Sequence, residues 1–99
     1  MPDSKWTYQG ITFTCDEGKR RDSLRKHGID LHEASAVFFD PLASFRYDFE
    51  HSKGEDRFCL LGRSESGRPL FVSYTIRGEA VRIISARRAT QQEVKKYEQ

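Results

Sequence analysis

The chain is short of the residues that build scaffolds other than a packed core. It has two cysteines, three prolines, one methionine and one tryptophan in 99 residues, with no run of about 18 apolar residues. Two cysteines make no disulfide framework. Cys15 and Cys59, with His27, His32 and His51 scattered between them, do not make a four-ligand zinc site either. Both cysteines sit in apolar stretches and are expected to act as small buried hydrophobes. No metal or cofactor is expected. The opening from Met1 to Phe13 lacks the apolar core of a secretion signal, and the expected location is the cytoplasm, off the membrane. Internal repeats and low-complexity segments are missing too, and the length suits one domain over 1–99. Residues 1–10 carry no clear pattern and read as a flexible or loosely packed extension.

Lysine is also missing from one long segment. From Arg57 to Arg88 there are seven arginines and no lysine, opposed only by Glu65 and Glu79. The net charge of +2 divides into 7 basic and 9 acidic residues before position 51 (−2), and 10 basic and 6 acidic after it (+4). Arginine presents a planar fork that matches phosphate bidentately, whereas lysine is a hydrated point charge. An arginine-only stretch therefore points to anion recognition. The competing reading is a salt-bridged, solvated sheet face.

The remaining pattern is that of an α+β domain. Gly10 to Cys15 alternates as a strand, and Asp16 caps a helix through Lys26 that Gly28 ends. Asp30, with Glu33 three residues on, has the spacing of a capping box. Leu31, Ala34, Val37 and Phe38 fall on one helical face, and Asp40-Pro41 ends that helix. Leu42 to Phe49 is a weaker strand. Arg57 to Arg63, Pro69 to Ile76 and Val81 to Ala86 follow as strands joined by short turns, hence antiparallel. Thr90 and Glu93 cap a last helix that turns Val94 and Tyr97 inward. The expected architecture is a small antiparallel sheet with two N-terminal helices and one C-terminal helix, leaving one sheet face open.

A two-residue turn at Gly78-Glu79 sets Arg77 opposite Ala80 and Thr75 opposite Arg82. That puts Arg77 and Arg82 on one face and Arg87 on the other. Arg57 and Arg63 share a face with Cys59 and Leu61. Fixed guanidinium groups on an open sheet would orient an RNA phosphate and stabilise the charge that develops as the neighbouring 2′-hydroxyl attacks, a cleavage that needs no metal. The proton acceptor is open: His27 and His51 are candidates by type, with Tyr74 and Glu55 behind them.

Lys19 with Lys26-His27-Gly28-Ile29, then Glu33-Ala34, Val37-Phe38 and Asp40-Pro41, resembles the opening of the BrnT toxin family. Arg57-Phe58, Leu61-Gly62-Arg63, Leu70 to Thr75 with Arg77, and the run Arg82 to Thr90 with Glu93 and Tyr97 continue the likeness, from about Phe13 to Glu98. The resemblance implies a RelE-like fold and a ribonuclease that inhibits translation. It also implies neutralisation by a ribbon-helix-helix antitoxin of the BrnA type, through which alone the complex meets DNA. Carried over to matching positions, it points to Arg57, Arg63, Arg77 and Arg87 as catalytic, joined by His27. Lys26, Arg82 and Arg88 are then expected as RNA contacts. Ser23, and Cys15 or Leu31, depart from the family's usual asparagine and aromatic, as packing changes that leave the arginines intact. The alternative to a nuclease is a binding module whose arginine face holds nucleic acid or a partner without cutting it.

Overall fold

A computed structural model describes residues 2–98. Its backbone runs β1 (Asp3–Tyr8), β2 (Ile11–Asp16), α1 (Glu17–His27), a 3₁₀ helix (Leu31–Phe39), β3 (Ser44–Tyr47), β4 (Phe58–Arg63), β5 (Pro69–Arg77), β6 (Ala80–Arg88) and α2 (Gln91–Tyr97). The six strands form one sheet in the order β1-β2-β6-β5-β4-β3. Every neighbouring pair is antiparallel except β2 and β6, which run parallel through Phe13↔Val81 and Thr14↔Arg82. The sheet is therefore mixed, not purely antiparallel. The short-turn argument governs consecutive strands, and β2 meets β6 only after the intervening 64 or so residues have crossed the sheet, a connection long enough for parallel pairing.

The N-terminal stretch read as a loose extension forms a strand over 3–8. It pairs with β2 across six residues, and Trp6 packs against the core. Its indole stacks on the His32 ring at 3.9 Å and donates from Nε1 to Ser35 Oγ at 3.3 Å. Ser4 Oγ lies 2.7 Å from His32 Nε2. Burial, with the Arg20 charge second, holds the His32 imidazole below its ordinary pKa.

Helix α1 begins and ends as its sequence dictates. The Asp16 carboxylate accepts from Lys19 N–H, and Gly28 closes the helix at φ 69°, where a side chain would be strained. The next segment departs from expectation. It is 3₁₀ rather than α, and its buried stripe is Leu31, Ala34 and Val37, the three-residue spacing at which 3₁₀ side chains eclipse. Asp30 caps it by accepting from His32 N–H, but Glu33 does not reach back to complete the box. Arg68 takes the Glu33 carboxylate instead, by Nε at 2.9 Å and by Nη2. A bidentate guanidinium outcompetes a single backbone N–H for the same oxygens. At the other end, α2 has the full Thr90–Glu93 box.

Phe13, Cys15, Ile29, Leu31, Ala34, Val37, Leu70, Val72 and Ile83 are each 1% exposed or less, and form the core between the sheet and the 3₁₀ helix. Cys15 and Cys59 are both free and buried. Desolvation pushes the Cys15 thiol up to about 11, so it stays protonated and apolar in character. Among the described residues, no helix is long and apolar enough to cross a membrane.

Candidate active site

The face of the sheet away from the 3₁₀ helix carries the arginines, and a single irregularity decides which ones. From the turn, the hairpin register is Arg77↔Ala80 and Thr75↔Arg82, as the turn chemistry requires. Between Ser73 and Tyr74 it shifts by one residue, so that Ser73 faces Ser85 and Phe71 faces Arg87. This bulge inserts one extra β6 residue and reverses the alternation beyond it. Arg87 therefore lies on the open face with Arg77 and Arg82, not on the opposite side. There its guanidinium carbon rests 4.3 Å from the Phe71 ring centre, a cation–π contact.

Next to Arg87 opens a groove of about 690 Å³, lined by Arg46, Asp48, Phe49, His51, Arg57, Cys59, Phe71, Ser73 and Ser85 among others. Three arginines from three parts of the chain meet in it. Arg46 enters from β3 because Arg46 pairs with Cys59, the open-face residue of β4; its guanidinium also lies 5.9 Å from the Phe71 ring centre. Arg57 comes from the residue just before β4. Opposite them stands an acid–imidazole pair, His51 Nδ1 to Asp48 Oδ2 at 2.9 Å. The segment between is tied down tightly. Asp48 N–H donates to Arg57 O, Ser52 Oγ donates to Asp48 O at 2.6 Å, and Arg57 N–H donates to Ser52 Oγ. Burial alone would raise the Asp48 pKa. Hydrogen bonds from the His51 ring and backbone N–H, with the nearby Arg46 charge, outweigh it and keep the carboxyl below its ordinary range. With Asp48 ionised, Nδ1 is the natural place for the imidazole proton, which leaves Nε2 free to accept another.

A second cavity of about 440 Å³ adjoins the first and shares Phe71, Ser73, Ile84, Ser85 and Arg87 with it. Its other wall is α1, contributing Lys19, Asp22, Lys26 and His27. Lys26 and His27 occupy the last turn of α1, where the helix dipole favours cations. The two cavities form one trough, with His51 at one end, His27 at the other and Arg87 on the shared floor.

The structure thus gathers Arg57, Arg87, Lys26 and His27 from the residues picked out by sequence, and disperses the rest. Arg63 binds Gly67 O and Glu98, and stands over the Tyr97 ring at 5.4 Å, tying α2 to β4. Arg77 is paired with Glu55 at 3.2 Å and Arg82 bidentately with Asp3 at 2.9 and 3.0 Å. Arg88 lies past the bulge on the other face. Tyr74 is buried in the core, and desolvation first, with Cys59 second, raises its pKa. Glu55 is held below its usual range by Arg77.

Carboxylates therefore occupy several of the arginines. Arg87 itself makes a bidentate pair with Glu93 at 2.8 and 2.9 Å, which brings the Glu93 pKa down to about 2. Arg57 reaches Glu55 only loosely, at 3.9 Å, and Arg46 is in none of the ion pairs among the described residues. Among the trough's arginines, Arg46 and Arg57 are thus the least engaged by carboxylates, and Lys19 and Lys26 of α1 add charge on the other wall. Sequence reading passed over Arg46 because its strand has four residues and its register depends on a partner twelve or more residues away.

The fold and trough define a small α+β protein with a cationic, imidazole-flanked cleft. The family described as "Ribonuclease toxin, BrnT, of type II toxin-antitoxin system" matches residues 15–93, and the chain belongs to that family. In structure it is similar to the Brucella abortus ribonuclease toxin BrnT, solved at 1.1 Å, with a TM-score of 0.56 and 25% identity over 78% of this chain and 94% of that one. No curated protein sequence matches. The family match starts at residue 15, so β1 lies outside it.

Proposed function

We propose that the chain is a metal-independent endoribonuclease that cuts by 2′-hydroxyl attack in the trough beside Arg87. The observation that carries this is the meeting of Arg46, Arg57 and Arg87 with the Asp48–His51 pair in one groove. Arg46 and Arg57 bind the non-bridging oxygens of the scissile phosphate and stabilise the charge that builds on them as the 2′-oxygen attacks. His51 Nε2 accepts the 2′-hydroxyl proton while Asp48 steadies the imidazolium that results. The 2′-oxygen–phosphorus bond forms, the bond to the 5′-oxygen breaks, and that oxygen takes a proton. In the open groove that proton comes from water; His27 and Lys26, which line the adjoining cavity, contact the flanking RNA.

Arg87, seated on Phe71 and held by Glu93, serves as a fixed positive floor. Arg63, Arg77, Arg82 and Arg88 contribute to RNA contact only from outside the trough. The wider reading follows the family: a RelE-like fold acting in the cytoplasm, inhibition of translation through RNA cleavage, and neutralisation by a BrnA-like ribbon-helix-helix antitoxin that makes the DNA contacts.

The test is incubation of purified protein with single-stranded RNA in excess EDTA, followed by end-group analysis. Fragments ending in a 2′,3′-cyclic phosphate, and protection of strands carrying 2′-deoxyribose at the cut position, are expected. RNA that is bound but recovered intact would replace this reading with the binding-module one.

A further inference from the structure

Phe49 is the most exposed of the large hydrophobic residues, at 84%, although it belongs to a tightly bonded turn. Phe49 is among the residues lining the groove that holds Arg46, Arg57 and His51, and its ring meets the Tyr47 ring edge-on at 4.6 Å. Tyr47 is itself anchored, since its hydroxyl donates to Asp56 Oδ1 at 2.8 Å. The backbone around Phe49 is held through Asp48 and through His51 N–H, which donates to Asp48 Oδ1. Asp48 N–H and O are both bonded, and the side chain of Asp48 holds His51. An apolar ring is thus presented to water by a rigid turn at the mouth of a cationic groove. Core packing does not account for it, and neither do ion pairs or the acid–base chemistry.

Single-stranded nucleic acids are held by this combination: a positive groove for the backbone and an aromatic face for the bases. We propose that Phe49 is the platform on which the nucleobase adjacent to the scissile phosphate stacks, and so fixes where along the strand the cut falls. The proposal rests on the nuclease reading above. Phe49 lines the same groove as Arg46 and Arg57, so a base next to a phosphate held there comes within reach of its exposed ring, which the edge-on contact with Tyr47 steadies.

The test uses Phe49→Ala and Phe49→Trp in the full chain, with thermal melts to verify folding. With a single-stranded oligoribonucleotide, Phe49→Ala is expected to raise KM about tenfold to hundredfold, the range that loss of one stacked base gives. Its kcat should stay within about threefold of wild type, and Phe49→Trp should retain a wild-type KM. Independently of cleavage, the emission that Phe49→Trp adds to that of Trp6 should be quenched saturably by an uncleavable 2′-deoxy oligonucleotide and not by inorganic phosphate. An unchanged KM in Phe49→Ala, or absence of quenching, would overturn the platform. So would RNA kinetics that do not move while affinity for a protein partner falls. If wild type cuts no RNA yet Phe49→Trp is quenched, the nuclease reading fails and with it the cut-positioning role, leaving Phe49 a base-stacking residue of a binding groove.

Discussion

Phe71 sits directly across the β5–β6 ladder from Arg87, and the Arg87 guanidinium rests 4.3 Å from its ring centre. That relationship exists only because the ladder slips by one residue at Ser73/Tyr74. Without the slip, Arg87 would stand on the helix-covered face. The same ring also takes the Arg46 guanidinium at 5.9 Å, so one aromatic side chain seats two cations of the trough. Phe71→Leu keeps apolar volume but removes the ring face. It should lower RNA cleavage about tenfold with little change in thermal midpoint, as measured by initial rates and by circular dichroism.

Loss of the proton acceptor should be felt in turnover rather than in binding. His51→Gln is expected to reduce kcat by a factor of about 10² to 10⁴, the usual contribution of a positioned acid–base group. Asp48→Asn should give a smaller loss, because Nε2 remains but its tautomer is no longer fixed. A wild-type kcat in His51→Gln would move the acceptor elsewhere, with His27→Gln the next variant to measure.

The Arg87–Glu93 pair makes stability depend on pH in a stated direction. Glu93 titrates at about 2 in the folded chain, against an ordinary 4.5. A depressed carboxylate pKa stabilises the fold above the ordinary value, and that contribution fades as pH falls from about 4.5 toward 2. Glu93→Gln should therefore flatten this acid limb in urea-denaturation midpoints measured between those values. An unaltered limb would mean that the pair contributes nothing to folding.

The first strand should matter to stability although it lies outside the family match. Trp6→Ala removes an indole stacked on His32 and bonded to Ser35, and should cost about 2–4 kcal/mol, somewhat below the usual penalty for a buried tryptophan since Trp6 is partly exposed. Equilibrium urea unfolding measures it. Gly62→Ala should destabilise by about 1–3 kcal/mol for a different reason: a Cβ there would lie 3.0 Å from Val37 Cγ1 and 3.1 Å from Asp40 Oδ2.

What could be read from the chain was what local chemistry decides. Asp16 and Gly28 bound α1, Thr90 and Glu93 cap α2, and Gly78-Glu79 sets the Thr75↔Arg82 register, because each of these choices is made among residues a few positions apart. One miss was local, the Gln9-Gly10 turn at positive φ that folds β1 back on β2, and the others involve distant partners. Glu33 left its capping box for Arg68, 35 residues on. The stretch holding Trp6 becomes a strand because His32 and Ser35 await it, more than 25 residues away. Ile84 looks like one more residue in an alternating run, and only its neighbours on β5 make it part of a bulge. The site was legible in kind, as arginines with a histidine, and partly in membership. Arg57, Arg87, Lys26 and His27 fall in the trough, whereas Arg46 came into view only through the pairing of β3 with β4.

The central claim is that Arg46 and Arg57, the trough arginines least engaged by carboxylates, grip the phosphate that is cut. It is tested most directly by measuring RNA cleavage by Arg46→Ala, Arg57→Ala and the double variant against wild type, with circular dichroism spectra confirming the fold. The account predicts losses of about 10²-fold or more in each single variant, the scale on which removing one preorganised charge-stabilising donor slows an enzyme, and no detectable cleavage in the double variant. A folded double variant that cuts RNA at the wild-type rate would contradict it.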